Sequence, residues 1–494
     1  MTQEEYLKAE RSQEWREEIR KSKKNKERTS IERIHMNEVS AKERISSQNI
    51  EVNTGLSAGQ ALVEATRCLD CGNPTCISGC PVNINIPKFV KYIEAGDIPM
   101  AGATLKESSA LPSVCGRVCP QEKQCEANCF YTLKLEKPPV AIGNLERYAA
   151  DYCLNNSSEN REIQKAKSNG IKIAAIGAGP ASLSFAGDMA QRGYDVTVFE
   201  ALHEIGGVLK YGIPEFRLPN KLVDMEIENL KSVGVKFTTN FVVGRTASFE
   251  QLESEGYKAF FIGSGAGLPR FMNIDGENLN GILSANEYLT RVNLMNAQKN
   301  DYDTPVLRGK NVAIVGGGNT AMDAVRTAKR LGADRAMIIY RRSMEEMPAR
   351  QEEIKHAQEE GVEFINLANP LRYEGNDAGF VNKMFIQRME LGEPDSSGRR
   401  RPVPIEDSEE MIDVDTVIVA VGVSPNPLIP MSLPKLKVSK WGTIEANQET
   451  LQSSIPNIFA GGDIVRGGAT VILAMGDGKK AARGMNSYLM MNCE

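Results

Sequence analysis

The chain has 494 residues, which is too long for one hydrophobic core, so two or three domains are predicted. Its 59 basic and 64 acidic residues nearly balance at a net charge of −5, and this balance indicates neither a nucleic-acid nor a membrane partner. No stretch of about 18 apolar residues occurs, so we expect a soluble cytoplasmic protein whose thiols stay reduced.

Residues 1–50 are predicted to form a charged N-terminal arm. Glu, Lys, Arg, Ser and Gln dominate this segment, and Tyr6 and Trp15 are its only aromatic residues. Such a composition is typical of a solvated helix and tail, or of a docking arm for a partner subunit. The sequence leaves both interpretations open.

Eight of the ten cysteines lie between Cys68 and Cys129, in two groups of four. The first group is Cys68, Cys71, Cys76 and Cys80, and the second group is Cys115, Cys119, Cys125 and Cys129. Proline follows Cys80 and Cys119, as in chains that wrap a cubane cluster. Eight thiolates suffice for two [4Fe-4S] clusters, which we predict in a helical domain at 51–165.

Zinc and disulfide bonds are the competing interpretations of these cysteines. A four-sulfur zinc site usually contains two C-x2-C pairs, whereas Cys68 and Cys71 form the only such pair here. Disulfide bonds are unfavoured in a reducing compartment. Iron–sulfur binding is therefore the preferred prediction.

Beyond a polar linker near 155–169, apolar strands alternate with helical patterns, which predicts parallel sheets covered by helices. The first strand–turn–helix unit contains Gly177 and Gly179 for a tight turn and close approach to a pyrophosphate. Pro180 and Ala181 then begin the helix, whose dipole favours the phosphate charge. Glu200 ends the next strand and is predicted to accept hydrogen bonds from ribose hydroxyls.

A second dinucleotide unit follows at 311–340, so two nucleotides are predicted. Its turn and helix start contain Gly316, Gly318, Asn319 and Thr320. Arg341 and Arg342 stand at the end of the next strand, where an NAD site would carry an acid, so we predict a 2'-phosphate and NADPH. The alternative is a pair of solvated arginines beside acidic neighbours.

A third signal near the C-terminus returns to the first site. Gly462 and Asp463 end an apolar strand, and Thr470 precedes a helix whose N-terminus would face a flavin ring. This order resembles that of two-dinucleotide flavoprotein reductases, which implies FAD at 166–300 and 427–494 and NADPH in a domain at 301–426. The predicted fold is thus α/β, with a helical iron–sulfur domain followed by two Rossmann-like domains.

The cysteines also suggest how electrons leave the flavin. No cysteine lies between Cys153 and Cys493, which excludes a dithiol beside the flavin. A flavin accepts a hydride and releases single electrons, so the clusters are the predicted exit. This transfer needs no acid or base, and no catalytic side chain is predicted.

The cysteine run, the segments 115–122, 141–148 and 206–214, and the first nucleotide unit resemble the small (beta) subunits of NADPH-dependent glutamate synthases. Gly207 belongs to the last of these segments. The resemblance spans about residues 55–494 and implies FAD, NADPH and two [4Fe-4S] clusters. It further implies a large partner subunit that makes glutamate from glutamine and 2-oxoglutarate.

The resemblance also implies how the ligands are shared. One cluster would be bound by Cys68, Cys71, Cys76 and Cys129, and the other by Cys80, Cys119, Cys125 and Glu146. Cys115 would then be a bystander. Spacing alone does not decide between Cys115 and Glu146 as the last ligand.

Two other functions share these features. The same module resembles the large subunit of NADH-dependent ferredoxin:NADP oxidoreductase, with a ferredoxin-linked partner, and the electron-input half of dihydropyrimidine dehydrogenase. A non-enzymatic alternative is a zinc-bearing interaction module joined to nucleotide-sensing domains. Partner identity would separate the functions that share all cofactors.

Overall fold

The structure is a computed structural model that describes residues 2–156, 165–299, 301–395 and 398–492. Most of the predicted linker at 155–169 lies outside the described residues. Within the described ranges, a helical N-terminal region precedes two five-stranded parallel sheets, which confirms the predicted fold class.

The N-terminal region is built from short helices. They are α1 (Gln3–Arg11), α2 (Glu14–Ser22), α3 (Asn25–Ser30), α4 (Ala41–Arg44), α5 (Ala58–Thr66), α6 (Thr75–Ser78), α7 (Ile86–Ala95), α8 (Ile98–Lys106), α9 (Pro112–Val118), α10 (Phe130–Leu135) and α11 (Ile142–Asn155). Strands β1 (Asn37–Glu38) and β2 (Asn53–Gly55) pair antiparallel. Helix α7 shows how the sequence sets these boundaries, because Asn85 caps its start and Gly96, at φ +80°, ends it.

The arm is not a solvated tail. Trp15 stacks on Tyr92 of α7 with ring centroids 4.2 Å apart, and the buried Arg16 pairs with Asp70 in the cysteine region. Farther along, Arg44 pairs with Glu360, which directly follows the helix Gln351–Glu359 of the second nucleotide domain. The arm therefore packs against both the cysteine region and the second nucleotide domain.

The first parallel sheet has the order β17-β6-β3-β4-β5. Its strands are β3 (Lys172–Ile176), β4 (Asp195–Phe199), β5 (Lys236–Thr238), β6 (Tyr257–Ile262) and β17 (Ile458–Ala460). Its helices are α12 (Pro180–Gln191), α13 (Val208–Tyr211), α14 (Asn220–Ser232), α15 (Phe249–Ser254), α20 (Asp463–Arg466) and α21 (Val471–Asn492). The strand interiors are buried, as expected for a parallel sheet covered on both faces.

The second parallel sheet has the order β11-β10-β9-β15-β8. Its strands are β8 (Ile282–Ser284), β9 (Asn311–Val315), β10 (Arg335–Tyr340), β11 (Glu363–Asn366) and β15 (Thr416–Val419), and its helices are α16 (Ala285–Leu289), α17 (Asn319–Arg330) and α18 (Gln351–Glu359). Strand β8 belongs to this sheet although the sequence placed its residues in the first nucleotide domain. Three residues carry too little periodicity to show which sheet they join.

The remaining strands connect or extend these sheets. An antiparallel sheet consists of β12 (Ala368–Gly375), β13 (Val381–Pro394) and β14 (Arg400–Asp413), and β7 (Leu268–Pro269) pairs with β16 (Val423–Ser424) where the chain enters and leaves the second domain. Helix α19 (Leu428–Ser432) follows. One apolar core joins the cysteine region to the first sheet, so these two parts pack as one body. No helix among the described residues is long and apolar enough to cross a membrane.

Candidate functional site

A cleft of about 2170 Å³ runs between the two nucleotide domains. Both predicted glycine turns line it, at the carboxyl ends of their strands. In open α/β sheets this end is where ligands bind. The structure thus brings the two predicted nucleotide sites into one continuous cavity.

The glycines of the first turn have distinct roles. Gly177 has φ +89°, and a Cβ there would lie 2.8 Å from the carbonyl oxygen of Gly263. A Cβ on Gly207 would lie 2.9 Å from the Cα of Gly179, whereas a Cβ on Gly179 would meet nothing within 4 Å. Gly177 and Gly207 therefore exclude larger residues, because backbone atoms of the protein already occupy the space that a side chain would need. Gly179 keeps the cleft side open for a ligand.

Pro180 and Ala181 begin α12, which has no side-chain cap at its N-terminus. Its free N–H groups face the cleft and fit a phosphate group. A Cβ on Gly478 of α21 would lie 2.2 Å from the carbonyl oxygen of Ala181, so the two helices touch through their backbones. This close contact fixes the start of α12 beside α21.

Glu200 lines the cleft but is bonded to the protein backbone. Its carboxylate accepts hydrogen bonds from the N–H of Ala178 at 2.6 Å and of Leu202 at 2.9 Å. Burial raises the pKa of this carboxyl, and the backbone donors oppose that rise. Glu200 therefore orders the turn itself, and a ribose contact from it remains a prediction.

The C-terminal signal closes the first site. Gly462, Asp463 and Thr470 all line the cleft. Burial raises the pKa of Asp463 to about 6, and its carboxylate accepts from the N–H of Ala469 at 3.1 Å. Sequence reasoning missed Asp477, which accepts from the N–H of Gly462 at 3.0 Å and so holds this turn.

The second turn repeats the first. Gly316 has φ +142°, and a Cβ there would lie 2.5 Å from the carbonyl oxygen of Ala420, while Gly318 is open to the cleft. Asn319 and Thr320 begin α17, which also lacks a side-chain cap and fits a second phosphate.

The structure separates the two predicted phosphate-binding arginines. Both line the cleft, but Arg342 is buried and donates to Asp395 and to the carbonyl of Arg400, each at 2.7 Å. Arg341 is exposed at the cleft, and Arg399, which the sequence did not single out, lines it as well. Arg341 is therefore better placed than Arg342 to meet a ligand phosphate.

Cys68, Cys71, Cys76 and Cys129 line a single pocket. Apolar side chains, among them Ile86 and Val90, complete its wall. Burial and the neighbouring thiols raise the pKa of Cys76 well above its ordinary value. Neighbouring thiols with raised pKa values ionise with difficulty unless a cation is present. Such a group fits a metal site, because a bound metal stabilises the thiolates. The eight clustered cysteines form no disulfide bonds in the structure.

The other predicted ligands form a second, more deeply buried group. Cys80, Cys119 and Cys125 are buried, and Glu146 acts electrostatically on all three thiols. One Glu146 oxygen, Oε1, is buried without a hydrogen-bond partner, and burial raises the pKa of this carboxyl to about 8. A buried carboxylate that lacks a partner and faces thiols fits a metal ligand.

Cys115 has partners of its own. Its Sγ lies 3.5 Å from the Met475 sulfur and 3.9 Å from the Ser109 hydroxyl. It also hydrogen-bonds with Cys119, which raises the pKa of the Cys119 thiol. The structure gives Cys115 these neighbours, whereas Oε1 of Glu146 has no hydrogen-bond partner among the described residues, which favours Glu146 as the fourth ligand.

The second cysteine group adjoins the nucleotide cleft. Val118, next to Cys119, lines the cleft, and Met475 lies on α21, whose first turn lines it too. A Cβ on Gly476 would lie 2.9 Å from the carbonyl oxygen of Pro81, which follows Cys80. The first group, by contrast, has three partly exposed cysteines. The second cysteine group therefore lies beside the cleft, and the first group lies nearer the protein surface.

Comparison with known families agrees with this division of the chain. Residues 45–158 match the family model described as dihydropyrimidine dehydrogenase domain II, 4Fe-4S cluster. Residues 171–478 match the model for pyridine nucleotide-disulphide oxidoreductases. An iron–sulfur domain and a flavin- and nicotinamide-linked reductase domain are thereby established. The mycobacterial FprA structure in complex with NADPH shares the fold of 65% of this chain and 85% of that chain, with a TM-score of 0.54 and 19% identity.

Curated relatives extend the match over most of the chain. The glutamate synthase [NADPH] small chain of Escherichia coli is 38% identical over 446 residues, which cover 89% of this chain and 94% of that protein. The NADP(+)-dependent formate dehydrogenase subunit beta of Moorella thermoacetica is 39% identical over 436 residues, covering 84% of this chain and 60% of that protein. The chain belongs to the glutamate synthase small-chain-like family of flavin and iron–sulfur oxidoreductases.

Proposed function

We propose that this protein is the electron-input subunit of a glutamate synthase, which oxidises NADPH and passes electrons to a large subunit. The position of the second cysteine group against the cleft, through Val118 and Met475, carries this proposal. FAD bound in the first site would accept two electrons together and release them singly. The similarity to glutamate synthase small chains over nearly their whole length supports the choice of partner.

Residues of the chain would bind the two nucleotides and the two clusters at separate sites. Gly177 and Gly207 shape the first turn, and the uncapped starts of α12 and α17 would bind the two phosphate groups. Cys68, Cys71, Cys76 and Cys129 would hold one [4Fe-4S] cluster, and Cys80, Cys119, Cys125 and Glu146 the other. Such clusters would supply one-electron transfer.

The proposal is tested by adding a glutamate synthase large subunit to the purified chain and measuring glutamate formation from glutamine, 2-oxoglutarate and NADPH. We expect NADPH oxidation with ferricyanide by the chain alone and glutamate formation only in the mixture. Ferredoxin reduction with the chain's native partner, without glutamate formation, would instead favour a ferredoxin:NADP oxidoreductase.

Arg341→Ala is expected to lower kcat/KM for NADPH at least about tenfold, chiefly through KM. A charge-assisted hydrogen bond to a phosphate contributes about 1.5–3 kcal/mol, and NADH lacks that phosphate. Steady-state reduction of ferricyanide with each nucleotide measures the effect. Arg335→Ala removes an exposed arginine from the other end of the same strand and is the control. An equal loss with NADH would contradict the assignment.

Glu146→Ala is expected to lower the iron content by up to one cluster, whereas Cys115→Ser should retain both clusters. The reason is that Glu146 has a buried oxygen without a partner, while the Cys115 thiol contacts Met475 and Ser109. Iron and sulfide analysis of anaerobically purified variants measures this. Loss of a cluster in Cys115→Ser alone would reverse the ligand assignment.

A further inference from the structure

The N-terminal arm converges on the loop that carries the first cysteine pair. Asp70 lies between Cys68 and Cys71, is fully buried, and has a left-handed backbone with φ 48°. Arg16 reaches its carboxylate at 2.5 Å and Arg20 at 3.1 Å. The arm before residue 45 lies outside both family models, whereas Asp70 lies inside the first of them.

The carbonyl groups of the same loop, and of Thr66 at the end of α5, accept hydrogen bonds from side chains, most of them cationic. The four pairs are Arg28 to Thr66 at 2.7 Å, Tyr131 to Arg67 at 2.8 Å, Lys91 to Cys68 at 2.7 Å, and Arg11 to Asp70 at 2.8 Å. Two of these donors, Arg11 and Arg28, come from the arm. The arm thus supplies both hydrogen bonds and positive charge to a loop that has no regular secondary structure of its own.

Cations outnumber acids around the first cysteine group. Near the first group, the cations are Arg11, Arg16, Arg20, Arg28 and Lys91, with Arg67 paired to Glu64, and the remaining acids are Asp70 and Glu94. Beside the second group, Glu146 and Glu126 act on the Cys125 thiol, Arg33 pairs with Glu126, and Arg350 also acts electrostatically on Glu126. The first group therefore has an excess of positive charge, and the second has a carboxylate with an unpartnered oxygen.

We infer that the N-terminal arm raises the reduction potential of the cluster held by Cys68, Cys71, Cys76 and Cys129, so that this cluster is the terminal electron acceptor of the chain. Reduction adds one negative charge to the cluster, and nearby cations stabilise that state. Net charge and hydrogen bonding help to set such potentials, and the arm supplies both at this loop. The inference rests on the proposed function for the presence of this cluster.

Substitutions that remove a positive or a negative charge distinguish an effect on the reduction potential of the cluster from a purely structural role in holding the loop. The variants are Arg16→Gln, Asp70→Asn, and the milder Arg20→Gln, whose arginine is 19% exposed. Lys21→Gln is the control. This substitution removes the same charge from the other face of α2, where the lysine side chain is 73% exposed. The midpoint potential of each cluster is measured on the purified holoprotein by redox titration followed by electron paramagnetic resonance.

Arg16→Gln and Arg20→Gln should lower the potential of the first cluster, and Asp70→Asn should raise it. For Arg16→Gln we expect about a tenfold change in the electron distribution between the clusters, which is about 59 mV for one electron. Lys21→Gln and the second cluster should show little change. Shifts of the same sign in Arg16→Gln and Asp70→Asn, or no shift in any variant, would overturn the inference.

If the proposed function is wrong, the experiments give a different result from the one expected if only this inference is wrong. If Cys71→Ser retained all the iron and all resonance signals of the unmodified protein, the first pocket would hold no cluster, and the arm could not tune one. Intact clusters with the expected shifts, but no glutamate formation with the large subunit, would leave the arm's role in place and contradict only the choice of partner.

Discussion

Replacing Cys71 with Ser is expected to abolish glutamate formation by the assembled enzyme while sparing most of the ferricyanide reduction by NADPH. The second cysteine group adjoins the nucleotide cleft through Val118, whereas none of the residues that line the first cysteine pocket lines the cleft. A dye can take electrons at the flavin, whereas a partner subunit would depend on the clusters. Both activities are measured by steady-state assays on the same preparations.

Cys153→Ser is the control, because Cys153 lies outside both groups and its replacement tests the loss of a buried thiol alone. It should retain both activities. Glutamate formation that survives in Cys71→Ser after loss of iron would show that electrons leave by another route.

Arg326→Met is expected to lower the free energy of unfolding by about 3 kcal/mol. Arg326 is fully buried and pairs with Glu353 and, at 2.8 Å, with Glu360. Removing one partner of a buried ion pair leaves buried charge less well compensated, which costs about 3–5 kcal/mol. Arg217 and Arg330 still contact these carboxylates, so we expect the lower end of that range.

Urea titrations of the unmodified protein and the variants measure this free energy. Arg335→Met is the matched control, because Arg335 and Glu363 form a pair in which both side chains are 45% exposed and which contributes about 0–1 kcal/mol. Equal stability losses in the two variants would contradict the role assigned to the buried network.

The same network predicts a direction of pH dependence. Nearby arginines lower the pKa of Glu353 and of Glu360 to about 2, although burial acts in the opposite direction. A depressed carboxyl pKa contributes stability above the unfolded value of about 4.3, and this contribution is lost as the pH falls toward 2. Unfolding of unmodified protein should therefore become easier between about pH 4 and pH 2, and the change should be smaller in Arg326→Met.

Local sequence patterns predicted the elements of the nucleotide domains well. Helices α12 and α17 begin at Pro180 and Asn319, where the sequence predicted helix starts, because a glycine turn between an apolar strand and a helix is a local signal. Strand β8 lies within the range 166–300 predicted for the first nucleotide domain but pairs with β15 in the second sheet, and such distant pairing leaves no local signal in the sequence. The pairing of Cys129 with the first three cysteines came from family resemblance, and the pocket brings these four residues together.

Contacts between distant residues were the part that sequence could not supply. Nothing near Arg342 in the sequence shows that Asp395 binds its guanidinium, and nothing in the arm shows that Arg16 reaches Asp70. Both contacts join residues more than 50 positions apart. The arm contains α2 and α3, and burial of Arg16 and Arg28 in them depends on tertiary packing that its charged composition does not show.

The metal and flavin content of anaerobically purified protein tests the account most directly, because the proposed electron route requires two clusters and one flavin in the same chain. Iron, acid-labile sulfide, zinc and FAD are measured on one preparation. We expect about eight irons, about eight sulfides and about one FAD per chain. Stoichiometric zinc in place of iron, or about four irons in fully loaded protein, would contradict a route through two [4Fe-4S] clusters.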